Sequence, residues 1–239
     1  MTRSNIQQAV IFAGGKGERL RPFTNGTPKP LISVNGKPLV CYLIERLKKY
    51  GVREVLILTG YLANKFHFIQ EWYNSREFIV KTISTPLDFQ TGNRIFDCMD
   101  LINDEFMVLY GDNYWPFNLF NLYQNFQNSN CIGQIVAYSN YDNYSSSNIR
   151  IGKKNIVEFY DTTRRSKEVD YVDLGFGIYK KEVLGRIDTK LNESFEKQIY
   201  PSLIENKQLS AFITKHRYYT LTNIDTVSYT HLRAHETRG

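Results

Sequence analysis

The chain has 239 residues, enough for one α/β domain with at most a small appendage, and its 42% hydrophobic content can fill a core. The formal charge of +6 is dispersed over doublets such as Lys48-Lys49 and Arg164-Arg165, not along a basic stripe interleaved with aromatics, so nucleic acid is not the expected partner. Cys41, Cys98 and Cys131 are scattered, which excludes a disulfide framework and a C-x-x-C zinc site. No apolar run reaches the roughly 18–20 residues of a bilayer span.

In chain order, residues 1–8 are polar and read as the approach to a strand, with no signal peptide. Residues 8–13 (QAVIFA) form a short apolar run that ends at Gly14-Gly15, a buried strand feeding a glycine loop. Residues 38–50 carry Leu39, Tyr42, Leu43 and Leu47 at helical spacing, with Pro38 as the start signal and Gly51 as the stop. A strand at 54–59, a helix at 62–73, a strand at 78–83, a helix from about 93 to 101 and a strand at 105–110 follow. This β-α-β-α-β-α-β order predicts a mostly parallel sheet with helices on both faces. The second half is less regular: a strand at 132–138, a polar loop at 140–148, and a hairpin at 148–160 turning near Lys153-Lys154. After these come a strand at 171–179, a helix at 195–205 and a short strand at 211–214. The expected organisation is one domain over 1–226, with a nucleotide half to about 115 and an acceptor half from about 116. Residues 227–239 read as translated adapter sequence and are set aside.

The stretch 13–31, AGGKGERLRPFTNGTPKPL, carries the chemistry. Gly14, Gly15 and Gly17 let backbone N–H groups approach an anion without obstruction. Arg19 and Lys29 add fixed positive charge, and Pro28 and Pro30 limit where Lys29 points. The combination is a cradle for several phosphates. It is not a P-loop, because no G-x-x-x-x-G-K-[ST] occurs, and the dinucleotide fingerprint fails at Leu20. Asp112 follows an apolar strand and Gly111, which puts its carboxylate at the carboxyl edge of the sheet, where open α/β folds bind ligands. One such Asp is enough for Mg²⁺, which takes one or two carboxylates and completes its shell on substrate phosphates.

The string G-G-x-G-x-R-L-x-P-x-T-x-x-x-P-K-P-L resembles the signature of the sugar-1-phosphate nucleotidyltransferases, with Glu18 as a mild departure from the usual Thr or Ser. The resemblance continues through the turn at 34–38, Gly60-Tyr61, the v-l-x-G-D string ending at Asp112, and the segment 195–204. It implies a Rossmann-like three-layer α/β/α sandwich with a mostly parallel, mixed central sheet. It also implies a cytoplasmic, Mg²⁺-dependent enzyme in which a sugar 1-phosphate oxygen attacks the α-phosphorus of an NTP and pyrophosphate leaves. No general base is required, because the acceptor phosphate is already anionic. Arg19 and the loop at Ala13, Gly14, Gly15 and Gly17 are then expected to hold the triphosphate, with Lys29 near the α-phosphate and Asp112 on the metal. Asn223 and Asp225 fall where relatives place a second acidic ligand.

The base is expected near Gln90, Thr91 and Gly92. There "T-G-N-R-I" resembles the cytidylyltransferases more than the usual G-T-G-G-A, a lean toward CTP with GTP and UTP open. On the acceptor side the common E-K-P is replaced by Tyr160-Asp161-Thr162. This passes the sugar-phosphate role to Arg164 or Arg165, with Asp173, Gly175 and Glu196 near the sugar. A homo-oligomer is compatible with the resemblance. The alternatives are a cytidylyltransferase for a non-sugar phosphate, such as phosphocholine or a polyol phosphate, and a nucleotide-binding module whose catalysis has decayed.

Overall fold

The fold is that of a computed structural model, which describes residues 6–221. The expected ligands Asn223 and Asp225 and the adapter-like stretch 227–239 lie outside the described residues. The strands are β1 (Gln8–Phe12), β2 (Glu54–Thr59), β3 (Ile79–Ser84), β4 (Glu105–Tyr110), β5 (Gly133–Tyr138), β6 (Ile149–Ile151), β7 (Val157–Tyr160), β8 (Val172–Lys180) and β9 (Leu209–Thr214). The helices are α1 (Leu39–Lys49), α2 (His67–Tyr73), α3 (Thr91–Phe96), α4 (Leu119–Gln127) and α5 (Phe195–Glu205).

Seven strands make one sheet in the order β9-β5-β8-β4-β1-β2-β3. Every pairing is parallel except those of β8, which runs antiparallel to both β4 and β5. β1 lies between β4 and β2 and is buried along its whole length, which is why it reads as an unbroken apolar run and not as an alternating one.

Alternation still decides which face each side chain fills. Ala9, Ile11, Val55, Ile57, Met107 and Leu109 point to one side, where they pack with residues of α1, α2 and α4. Val10, Phe12, Leu56, Leu58, Phe106 and Val108 point to the other, against α3 and α5. Successive side chains of a strand face opposite ways, so two cores form on one sheet and the three-layer sandwich follows. The hairpin β6–β7 turns through Lys154 and Asn155, both at positive φ, and packs on α5 with the Tyr160 and Tyr200 rings 4.9 Å apart.

Three local readings are corrected. The helix expected over 62–73 starts as a 3-10 turn at Ala63–Phe66, because Leu62 sits at φ 50 and cannot join an α-helix. The helix expected over 93–101 is α3 followed by a separate 3-10 turn, Met99–Leu101. The stretch 119–127, read as no element, is α4. Leu119, Leu122, Tyr123 and Phe126 bury one face of it, and the Asn118 side chain caps it by accepting from the Phe120 N–H at 2.9 Å. No helix among the described residues is long and apolar enough to cross a membrane.

Candidate active site

A cleft of about 780 Å³ opens at the carboxyl edge of the sheet, where β1, β2 and β4 end. The glycine loop forms one wall, the segment 87–91 the opposite wall, and Lys29, Tyr110 and Asp112 reach it between them.

The loop leaves β1 with its register held by the Ala13 N–H on the Leu58 carbonyl at 2.9 Å and the Tyr61 N–H on the Gly14 carbonyl at 3.1 Å. Gly17 adopts φ 64, and a Cβ there would stand 2.9 Å from the Thr24 methyl, so only glycine turns the chain at this point. Thr24 locks the turn by donating its hydroxyl to the Gly17 carbonyl at 2.9 Å. The segment 24–26 is latched from outside: Tyr61 donates to the Thr24 and Asn25 carbonyls, and Lys65 to the Gly26 carbonyl. Arg19 lies on the 3-10 turn Glu18–Leu20, exposed and lining the cleft, and Lys16 beside it adds a cation that the sequence reading passed over.

Lys29 and Asp112 were expected to serve different partners, and the structure joins them. Lys29 Nζ donates to Asp112 Oδ2 at 2.5 Å, with both side chains largely buried. Lys29 opens the 3-10 turn Lys29–Leu31, so the pair ties that turn to the end of β4, which the Gly111 N–H on the Phe12 carbonyl at 3.0 Å joins to β1. The other Asp112 oxygen has no protein partner among the described residues. A half-buried carboxylate with an open oxygen at the cleft fits a cation that finds its remaining ligands on phosphates. No group of three or more His, Cys, Asp or Glu that could hold a metal alone forms among the described residues. The described chain returns to this point, with the Leu221 N–H on the Asp112 carbonyl at 3.0 Å.

On the base side, the Gln90 side chain is exposed at the cleft, while its N–H donates to Asn192 Oδ1 at 2.8 Å. Thr91 Oγ1 accepts the Phe195 N–H at 2.9 Å, so this hydroxyl ties the wall to α5. Gly92 faces away from the cleft: its N–H donates to the Glu193 carbonyl at 3.1 Å, and a Cβ would stand 2.7 Å from that oxygen. Its small size serves the packing of α3 against the start of α5.

Asp173 and Glu196 come together behind Tyr110, which alone of the three lines the cleft and donates to Glu196 Oε1 at 2.7 Å. Burial, with the Glu196 charge second, pushes the Asp173 carboxyl up to about 7. The Gly175 N–H, the Arg164 charge and the Tyr160 hydroxyl pull the other way. Burial also raises Glu196, against the Tyr110 hydroxyl that stabilises its anion. Gly175 sits at φ 64 in a bulge of β8, against the Tyr110 ring, and donates to Asp173 Oδ1 at 2.9 Å. Arg164 and Arg165 ride an exposed loop wound around Asp161, which accepts from Thr163, Arg165 and Ser166. Arg164 donates to the Ser146 carbonyl at 2.6 Å while its charge reaches Asp173, and, like Asp173 and Glu196, neither arginine lines the cleft. Tyr110 was missed in the sequence because it ends a strand as an ordinary apolar residue would.

The nucleotidyl transferase family model matches residues 8–220. The chain belongs to the nucleotidyl transferase family. It is 27% identical over 241 residues to the Bacillus subtilis (strain 168) protein named "Probable glucose-1-phosphate cytidylyltransferase", covering 92% of this chain and 91% of that one. It is 30% identical over 184 residues to choline-phosphate cytidylyltransferase of Streptococcus pneumoniae (strain ATCC BAA-255 / R6), 71% of this chain and 76% of that one. In fold it matches the inositol-1-phosphate CTP transferase of T. maritima, with TM-score 0.79, 15% identity, and 99% and 98% of the two chains covered. This nucleotidyltransferase therefore has the Rossmann-like sandwich that its glycine-loop string implied, and it is an enzyme of nucleotide transfer.

Proposed function

We propose that this nucleotidyltransferase joins an NTP to a sugar 1-phosphate, releasing pyrophosphate, with Mg²⁺ held at Asp112. The observation that carries the reading is the Lys29–Asp112 pair, set between a triphosphate-sized glycine loop and the Tyr110–Glu196–Asp173 cluster. Phosphoryl chemistry asks mainly for neutralised charge and in-line alignment. The loop amides, Arg19 and Lys16 hold the β- and γ-phosphates and the departing pyrophosphate. With nucleotide bound, the Lys29 ammonium would lie at the α-phosphate and the Asp112 carboxylate would hold the cation. When bound, the cation supplies charge that offsets the crowded phosphates. Glu196 and Asp173 accept from acceptor hydroxyls, and Gln90 reads the base edge. The relatives named as cytidylyltransferases support CTP as donor. The three buried, unpaired thiols suit the cytosol.

A second reading has its own support. Two carboxylates among tyrosine rings also suit a cationic headgroup, and one similar protein is a choline-phosphate cytidylyltransferase. Pyrophosphate release measured with CTP, UTP, GTP and dTTP against a panel of sugar 1-phosphates, with phosphocholine alongside, decides between them. Turnover on a sugar 1-phosphate is the expected result. Turnover on phosphocholine alone would replace the sugar reading, and no pyrophosphate from any pair would overturn both.

A further inference from the structure

Arg94 is the most buried cation near the cleft, at 4% exposure, and its guanidinium meets only neutral acceptors. Nη1 donates to the Thr59 carbonyl at 3.1 Å and to the Thr85 hydroxyl, and Nη2 donates to the Leu87 carbonyl at 3.2 Å. No carboxylate is ion-paired with it among the described residues. The group is pressed against two backbone segments that have no side chain to repel it: a Cβ on Gly14 would stand 2.5 Å from Cζ, and one on Gly60 2.6 Å from Nη1. Burial pulls the guanidinium below the usual arginine range, and the charge of Asp88, on the cleft wall next to Leu87, pulls the other way without a direct ion pair.

A desolvated charge with no carboxylate in contact is costly, and an anionic ligand at the cleft would offset that cost. Gly14 belongs to the phosphate loop and Leu87 to the opposite wall of the same cleft. We infer that Arg94 is a positioning residue of the nucleotide site, tying Thr85 and Leu87 to the end of β2 and setting a buried positive charge against Gly14 of the glycine loop. Two functions follow from one side chain. The fork of donors fixes the wall at 85–87 to the end of β2 and so sets where the base would lie, and the charge packed against Gly14 strengthens the loop's hold on polyphosphate. The inference rests on the nucleotidyl-transfer reading.

The two functions separate in two variants. Arg94→Lys keeps the charge and loses the fork, while Arg94→Gln loses both. Calorimetric binding of tripolyphosphate, which has no base, is compared with binding of the tightest among CTP, UTP, GTP and dTTP. In Arg94→Gln, tripolyphosphate binding is expected to weaken about 10-fold or more, the scale of a hydrogen bond to a charged group. In Arg94→Lys, tripolyphosphate is expected to stay within about 3-fold of the parent while the NTP weakens about 10-fold. If Arg94→Gln is folded by circular dichroism and binds tripolyphosphate as the parent does, the charge assignment is overturned. If Arg94→Gln does not fold, Arg94→Lys decides: equal losses for both ligands, or no loss for either, overturn the inference. A parent protein that binds neither tripolyphosphate nor any NTP would instead sink the nucleotide-site reading itself.

Discussion

The two walls of the site are built by opposite means. The glycine-loop side is open, and most of it is backbone: the turn at Gly17, loop amides, and exposed Arg19 and Lys16, followed by a segment at 24–26 that Tyr61 and Lys65 latch. The Tyr110 side is enclosed and rich in carboxyl groups, and it is all side chain: Asp173 on β8, Glu196 on α5 and Tyr110 at the end of β4. On the proposed function, the first would hold a ligand whose charge is fixed, which needs donors and space, and the second would tell hydroxyls or a cationic group from water, which needs acceptors whose own protonation is controlled by burial. Lys29 and Asp112 stand at the join, each serving as the other's counter-charge.

That join is where breaking the comparison should cost most. Asp112→Asn is expected to lower Mg²⁺-dependent turnover by about 1,000-fold, and Lys29→Ala by about 100-fold or more, in steady-state pyrophosphate release. Because the residues are paired, the double variant should fall short of the product of the two losses. A fully multiplicative result would show that the pair does not act as a unit. On the phosphate wall alone, Arg19→Ala should slow turnover about 100-fold with no change in melting temperature, since the side chain is exposed. Parent-like rates in this variant would move the triphosphate elsewhere.

On the acceptor wall the expected effects are smaller. Tyr110→Phe removes the donor to Glu196 and should raise KM for the acceptor about 10-fold while leaving KM for the NTP near the parent value. An equal rise in both would place Tyr110 in general packing instead. The smallest effect is on stability. The folded state holds the Asp173 proton up to about 7, well above the ordinary aspartate range, so ionisation disfavours the fold increasingly as pH rises from about 4 to about 7. Asp173→Asn should therefore raise the melting temperature by several degrees at pH 8, with each kcal/mol worth about 2–4 °C, and change it little at pH 4. Equal melting shifts at both pH values would mean that Asp173 is not held protonated by burial.

The parts legible in the sequence were local in the chain. β1 and β4 announce themselves as apolar runs ending in glycine, the phosphate turn needs residues within a few positions of one another, and Asp112 follows directly from a strand end. α4 was equally periodic, with Leu119, Leu122, Tyr123 and Phe126, but its Asn and aromatic residues are modest helix formers and gave little contrast against a loop. What only the tertiary structure decided is who meets whom across long separations. Lys29 and Asp112 are 83 positions apart, and Tyr110 and Glu196 are 86. Arg94, read along the chain as a departure from a glycine-rich string, becomes a buried strut because Gly14 and Gly60 leave room for it from two other strands. Sequence spacing specifies backbone shape within a turn. The charge state and partner of a side chain depend on what the fold packs against it, and that is set by the order of strands in the sheet.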